Sequence, residues 1–248
     1  MNLANALDRG SRSSAMPHAP PIVYVVDDDI SVRESLEPLI RSAGWHPRAF
    51  ASARDFLDHT RRQAPSCLIL DVSLPDLNGL ELQKRIAVER LDMPIIFITG
   101  SSDVPKSVQA MKAGAVEFLT KPFNDEVLLT AIRQALDQSR LALAHEGEMR
   151  DLLCRYASLT PREREVMALV VSGRLNKQVG AELGISEITV KAHRGQVMQK
   201  MRANSIADLV KMAERVNSND AMKHAMILAN HQPRATARKP GAHHDRWH

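Results

Sequence analysis

Ser66-Cys-Leu-Ile-Leu-Asp-Val-Ser-Leu-Pro-Asp-Leu-Asn-Gly79 is the stretch on which the reading of the fold turns. A short apolar run, 67–70, ends abruptly on a carboxylate, Asp71. The chain then turns at Leu74-Pro75 and restarts as a helix after Asn78-Gly79. Upstream, Ile22-Val-Tyr-Val-Val26 behaves the same way and ends on Asp27-Asp28-Asp29. If both runs are parallel strands, their carboxylates meet at one edge of a sheet.

Working outward, short apolar runs alternate with helix-length amphipathic segments from Ile22 to about Ser139. The expected strands are 22–26, 46–50, 67–70, 95–99 and 117–119. The expected helices are 31–43, 52–61, 80–90, 104–113 and 125–136, with apolar residues near i, i+3, i+4, as at Val32, Leu36, Leu39 and Ile40. Gly44 and Gly114 close two helices, and Ser31 and Ser52 stand at the expected N-caps. Five β and five α units in alternation predict a doubly wound, flavodoxin-like, five-stranded parallel sheet. In such sheets ligands bind beyond the carboxyl ends of the strands, where the strand order reverses. The polar residues at those ends are Asp27, Asp28, Asp29, Asp71, Thr99 and Lys121.

Converging carboxylates repel one another and stay ionised cheaply only beside a cation. All-oxygen ligands select a hard ion, and a few carboxylates plus water suit Mg²⁺, an ion that commonly serves phosphoryl transfer. Lys121 and Thr99 suit the remaining phosphoryl oxygens, and Asp71 is the natural nucleophile.

Residues 22–136 resemble the receiver domain of two-component response regulators. The motifs that carry the resemblance are Val25-Val-Asp-Asp-Asp29, Leu70-Asp-Val-Ser-Leu-Pro75, Ile98-Thr99 and Lys121-Pro122-Phe123. The resemblance implies that Asp71 accepts a phosphoryl group from a sensor histidine kinase. It implies that Asp27, Asp28, Asp71 and the backbone carbonyl of Ser73 bind Mg²⁺, and that Lys121 pairs with the phosphoryl group. Thr99 would be the switch hydroxyl and Phe118 the aromatic that follows it inward, with Pro122 after a cis peptide. Ser73 is smaller than the Arg or Asn often found there in the family.

The 248 residues are 44% hydrophobic and 25% charged, ordinary for a globular protein, and the length suits two domains or one large one. The formal charge of +4 is unevenly spread. Residues 22–135 carry 13 Lys/Arg against 16 Asp/Glu; residues 158–216 carry 10 against 6, and residues 217–248 carry 5 against 2. An acidic front and a basic back point to two tasks, the second on nucleic acid. Two cysteines without CxxC spacing give neither a disulfide framework nor a zinc site. There is no membrane-length apolar run and no signal-peptide core near the start, so a cytoplasmic protein is expected.

The back third opens with Leu159-Thr-Pro-Arg-Glu163, a strong helix start: Thr160 caps, Pro161 takes the first turn and Glu163 completes a capping box. Helices are expected over 161–172, 176–183 and 187–201, the last capped by Ser186 after a tight turn at Gly184, and a fourth from Ser205 to about Val216. This is the helix-turn-helix pattern, a separate all-α four-helix domain. In the third helix Ile188, Val190, Val197 and Met201 are read as core-facing.

Residues 158–216 resemble the LuxR-type output domain of the NarL/FixJ response regulators. The match rests on Leu159-Thr-Pro-Arg-Glu-Arg-Glu-Val166, Asn176-Lys177-Gln178 and Ile185-Ser-Glu-Ile-Thr-Val-Lys-Ala-His-Arg194. Lys121-Pro-Phe and Met198-Gln-Lys-Met201 lean toward the FixJ side, with the StyR- and TodT-like regulators. The resemblance places Lys191 and Ala192 against bases, with Arg194 or Gln196. Lys177, Ser186, Thr189, His193 and Lys200 would hold the DNA backbone. Gly195 stands where relatives often carry a longer side chain.

The expected organisation is a disordered leader over 1–20, a receiver over 21–137 and a helical linker over 138–156 with Gly147 as a soft point. The helix-turn-helix domain would span 157–217, with a basic, His-rich tail over 218–248. Residues 217–230 are compatible with a helix, and His243, His244 and His248 fix no metal geometry. The implied function is a phosphorylation-activated transcription regulator, not an enzyme. Its partners would be a cognate sensor kinase, promoter double-stranded DNA, RNA polymerase and a second copy of itself, with no membrane. Phosphoryl-Asp71 would draw in Thr99 and Phe118, the face over 104–113 would repack, and two receivers would pair. The alternative within DNA binders is a phosphorylation-independent regulator whose receiver only dimerises. An aspartate-nucleophile phosphatase is disfavoured, because Ser73 stands where its acid Asp belongs.

Overall fold

A computed structural model describes residues 20–60, 62–89, 93–100 and 104–230. The expected leader, apart from Pro20, and the tail from 231, with its histidines, lie outside the described residues. Chain contacts divide the protein into two units, 1–147 and 148–248.

In the first unit five parallel strands, β1 (Ile22–Val26), β2 (His46–Phe50), β3 (Ser66–Asp71), β4 (Ile95–Thr99) and β5 (Glu117–Thr120), lie in the order β2-β1-β3-β4-β5. Helices α1 (Ile30–Ser42), α2 (Ala53–Asp58), α3 (Gly79–Glu89), α4 (Val104–Lys112) and α5 (Asp125–Ala157) alternate with them. Strands β1, β3 and β4 are buried along their whole length, as parallel strands covered on both faces must be. Alternate residues feed the two faces. Tyr24, Val26, Leu68, Leu70 and Phe97 pack with Phe56, Leu82 and Ile86. Val23, Val25, Cys67, Ile69, Ile96 and Ile98 pack with Leu36, Ile40, Leu128 and Ile132. Burial pushes the Cys67 thiol well above its ordinary range, which makes it an inert core residue. Buried Ser139 of α5 accepts a hydrogen bond from the Ser66 backbone N–H at 3.0 Å, tying that helix to the start of β3.

One local expectation changes. The cap of α1 is Asp29, not Ser31: Asp29 is extended and its carboxylate accepts from the Ser31 N–H at 2.8 Å. A carboxylate at the positive end of a helix outcompetes a hydroxyl two residues further on. Gly147 lies within α5, and the two units divide there.

The second unit is helical: α6 (Pro161–Val171), α7 (Asn176–Leu183), α8 (Glu187–Met201) and α9 (Ile206–Asn230). The expected capping box at Thr160 and Glu163 is present, and Gly184 ends α7 in the left-handed conformation. Gly180 has no room for a side chain, since a Cβ there would lie 2.7 Å from the Ile185 carbonyl oxygen. That close approach sets the tight α7–α8 turn. Val166, Val170, Val179, Val190, Val197, Met201 and Leu209 form the core. Ile188 does not join them; it is 80% exposed. At 100° per residue it lies roughly 180° around the helix from Val197, so the turn that buries Val197 turns Ile188 outward. Helix α9 continues past the expected end to Asn230. Among the described residues no helix is long and apolar enough to cross a membrane.

Candidate functional site

Strand register builds the first site. Val26 pairs with Leu70, so the next residues, Asp27 and Asp71, emerge side by side where the strand order reverses. Asp71 pairs with Ile98 and Thr99 with Thr120, so β4 ends on Thr99 beside the start of the Lys121 segment. The Lys121 N–H donates to the Thr99 carbonyl at 2.7 Å, and the Lys121–Pro122 peptide is cis.

The Lys121 ammonium lies 2.7 Å from Asp27 Oδ2 and 3.0 Å from Asp71 Oδ1. Asp27 Oδ1 accepts from the Asp29 N–H at 2.9 Å, and Asp71 Oδ2 from the Ser73 N–H at 2.7 Å. Asp27 is fully buried, Asp71 and Thr99 nearly so, and Asp28 is exposed at the same strand end. Phe118 is half-buried, with its ring 6.2 Å from that of Phe97. Pro122 is exposed.

Burial raises the Asp27 carboxyl above its ordinary range despite hydrogen bonds from Lys121 and Asp29. Burial also disfavours the Lys121 charge, but its hydrogen bonds to Asp27 and Asp71 outweigh that and hold the ammonium above its usual value. One ammonium is shared between two carboxylates, so Asp27 remains under-compensated. With Asp28 alongside, the site keeps two negative charges beyond what Lys121 neutralises. All the donors are hard oxygens, a set that fits a divalent cation such as Mg²⁺. Among the described residues no three His, Cys, Asp or Glu side chains gather into a metal-holding group. Mg²⁺ commonly binds through one or two carboxylates and keeps several waters.

Two further residues shape the site. Arg33, in the first turn of α1, donates from Nη1 to the carbonyls of Asp27 at 2.6 Å and Asp28 at 2.9 Å, fixing the acidic loop from below. It stands one helical turn after Asp29, and a donor to backbone carbonyls is not marked by any pattern of side chains. Gly79 packs so closely that a Cβ would lie 2.6 Å from the Asp71 carbonyl oxygen and 3.1 Å from Val72 Cα. Gly79→Ala is expected to cost about 2 kcal/mol through overpacking against backbone. It would appear as a lower urea midpoint with an unchanged slope.

The second candidate surface is α8. Ser186 caps it, accepting from the Thr189 N–H at 3.1 Å, and the two hydroxyls are 2.8 Å apart. Lys191, Ala192 and Gln196 are exposed, as is Lys177 on α7; Thr189 and His193 are half-buried. Lys191 pairs with Glu187 at 3.1 Å. Arg194 instead donates to Asn176 Oδ1 at 3.1 Å, which braces α8 on α7. Lys200 reaches Glu163 Oε2 at 2.7 Å.

Glu163 is 5% exposed. Its carboxyl is held below the ordinary range chiefly by the Lys200 hydrogen bond, then by the Thr160 N–H. A depressed carboxyl contributes stability above its unfolded pKa of about 4.3 and loses it as pH falls through the lower folded value. Glu163→Gln is therefore expected to cost about 1.5 kcal/mol at neutral pH. In thermal unfolding followed from pH 7 to 3, the gap from wild type should close below about pH 4.3.

Residues 23–133 match the response regulator receiver domain family, and residues 157–213 match the luxR family of bacterial regulatory proteins. The chain is 49% identical over 206 residues to nodulation protein W of Bradyrhizobium diazoefficiens, covering 83% of this chain and 91% of that one. It is 45% identical over 198 residues to the response regulator protein TodT of Pseudomonas putida, covering 80% and 87%. Its structure is similar to that of the response regulator StyR, with a TM-score of 0.72 at 45% identity over 79% of this chain and 100% of that one. With both domains matched and this identity sustained across nearly the whole of its relatives, the chain belongs to the NarL/FixJ family of two-component response regulators, a receiver domain followed by a LuxR-type helix-turn-helix.

Proposed function

We propose that Asp71 is the phosphoryl acceptor of this regulator and that its phosphorylation drives receiver pairing and promoter binding. The observation that carries the reading is the Lys121 ammonium bridging Asp27 and Asp71 at the reversal of strand order. Membership of the family implies a cognate kinase, DNA binding and dimerisation, and describes a regulator rather than an enzyme. A carboxylate oxygen of Asp71 attacks phosphorus, the P–N bond to the kinase histidine breaks, and the imidazole leaves with that electron pair. Receiver domains of this family typically use Mg²⁺ for phosphotransfer. Here Asp27, Asp28, Asp71 and the Ser73 carbonyl would hold it, and it would supply the charge that the phosphoryl oxygens need.

Lys121 then pairs with the new phosphoryl group, Thr99 donates its hydroxyl to it, and Phe118 follows Thr99 inward. The pairing face includes α4, where Val108 and Met111 are exposed. We assign the receiver to 21–137, the linker to 138–156 within α5 and the DNA-binding domain to 157–217, beyond which α9 continues. Lys191, Ala192 and Gln196 face bases, and Lys177, Ser186, Thr189 and His193 face phosphates. Arg194 and Lys200 act first by bracing α8 through Asn176 and Glu163.

The test is phosphoryl incorporation from acetyl phosphate with Mg²⁺, read by intact mass, together with the sedimentation of the product and its affinity for promoter DNA. A treated protein that stays unmodified, yet pairs and binds DNA as tightly as any preparation, would instead favour the phosphorylation-independent regulator.

A further inference from the structure

Helix α8 has a clean division. Val190, Val197 and Met201 are buried. Ile188, Lys191, Ala192, Gly195, Gln196 and Gln199 are exposed, at the spacing i, i+3, i+4, i+7, i+8, i+11 of one helix face. For a basic DNA-binding domain this face is unexpectedly apolar. It carries one cation, Lys191, which Glu187 already pairs. At its N-terminal end stands Ile188, at 80% the most exposed large apolar side chain among the described residues. Ala192 lies one turn further on. Another turn on, Gly195 has a negative φ and nothing within 4 Å of where its Cβ would be. No packing inside the domain calls for a glycine there, and the position is open to an approach from outside.

An apolar side chain this bare, on the face shared with Lys191 and in the second helix of a helix-turn-helix, has one chemical partner in a major groove. That partner is the C5-methyl of thymine, the only apolar group on the base edges. We propose that Ile188 is a specificity-determining residue that, with Ala192, takes a thymine methyl group in each half-site, while the gap at Gly195 lets α8 sit deep enough for both to reach. The proposal rests on the reading of α8 as the helix that enters the groove, and adds to it a base and a side chain.

The test uses the full chain, activated with acetyl phosphate and Mg²⁺, and a library of duplexes with a random-sequence centre. The sequences enriched by wild type and by Ile188→Ala are compared. In the best wild-type duplex each thymine is then replaced in turn by deoxyuridine, which removes the C5-methyl and nothing else. One replacement per half-site is expected to weaken wild type about fourfold, the value of one buried methyl group. The same replacement should cost Ile188→Ala clearly less, since only Ala192 then remains on the methyl, and Ile188→Val should fall between the two. Because Ile188 is exposed, all three chains should melt at the same temperature. The role of Ile188 is overturned if wild type and Ile188→Ala show the same deoxyuridine penalty at every thymine, or if no thymine carries one. If neither chain enriches any sequence, the DNA-binding reading itself fails and this inference falls with it.

Discussion

An Asp71→Asn chain is expected to take up no phosphoryl group from acetyl phosphate and Mg²⁺, and its DNA affinity is expected to stay at the resting level under all phosphorylating conditions. The substitution preserves shape: an amide oxygen can still accept from the Ser73 N–H that meets Asp71 Oδ2 at 2.7 Å. It removes the proposed nucleophile, because an amide oxygen does not form a stable phosphoryl bond at this position. Wild type should gain about 5- to 150-fold in promoter affinity on phosphorylation, the ordinary size of coupling between two sites of one protein. Titrating both chains against a fluorescent promoter duplex, with and without acetyl phosphate, reads the difference directly. Should the substituted chain still pair and gain affinity on treatment, the role given to Asp71 would be wrong.

Why this site was legible in the sequence, and other features were not, follows from how each is built. Asp27, Asp71, Thr99 and Lys121 sit at the ends of apolar runs, and parallel strands in register deliver strand ends to one edge. Periodicity and punctuation therefore locate the site without any contact being known. Asp29 and Ser31 are harder to separate, since either residue type caps a helix; only the backbone geometry selects Asp29. Arg33 acts on backbone carbonyls, and a partner of that kind leaves no mark in a pattern of side chains. Gly79 reads as an ordinary helix start, although what requires it is the Asp71 carbonyl. Ile188 was open to a stricter reading. Its residue type favours a core, but its angle from Val197 places it outside, and the angle wins. The division of labour among Lys191, Arg194 and Lys200 depends on Glu187, Asn176 and Glu163, partners from two other parts of the domain as well as from α8 itself.

Replacing Lys121 with methionine tests the electrostatics of the site before any phosphoryl group arrives. Methionine keeps the apolar stem of the side chain as far as Cε but removes the charge shared by Asp27 and Asp71. Their side chains are 0% and 5% exposed, so both carboxylates would be left buried without a cation. Removing one member of a buried pair costs about 3–5 kcal/mol. Lys121 itself is 23% exposed, so water relieves part of the loss and about 3 kcal/mol is expected in chelator. The double variant Asp27→Asn/Lys121→Met should recover most of it, since the more deeply buried charge goes with its partner. Added Mg²⁺ should stabilise Lys121→Met more than wild type, because it meets a larger uncompensated charge. The pH dependence has a definite sign. The raised Lys121 pKa contributes stability that is fully present below the unfolded value of about 10.4 and is lost as pH rises through the folded value. Asp27, also raised, favours folding at acid pH and loses that contribution as pH rises through its folded value. In Lys121→Met the alkaline loss should vanish, while the Asp27 transition should move to higher pH, since the hydrogen bond that held it down is gone. Urea unfolding of the three chains between pH 4 and 11 reads both movements. A Lys121→Met chain as stable as wild type in chelator would mean that solvent, not Lys121, neutralises these carboxylates.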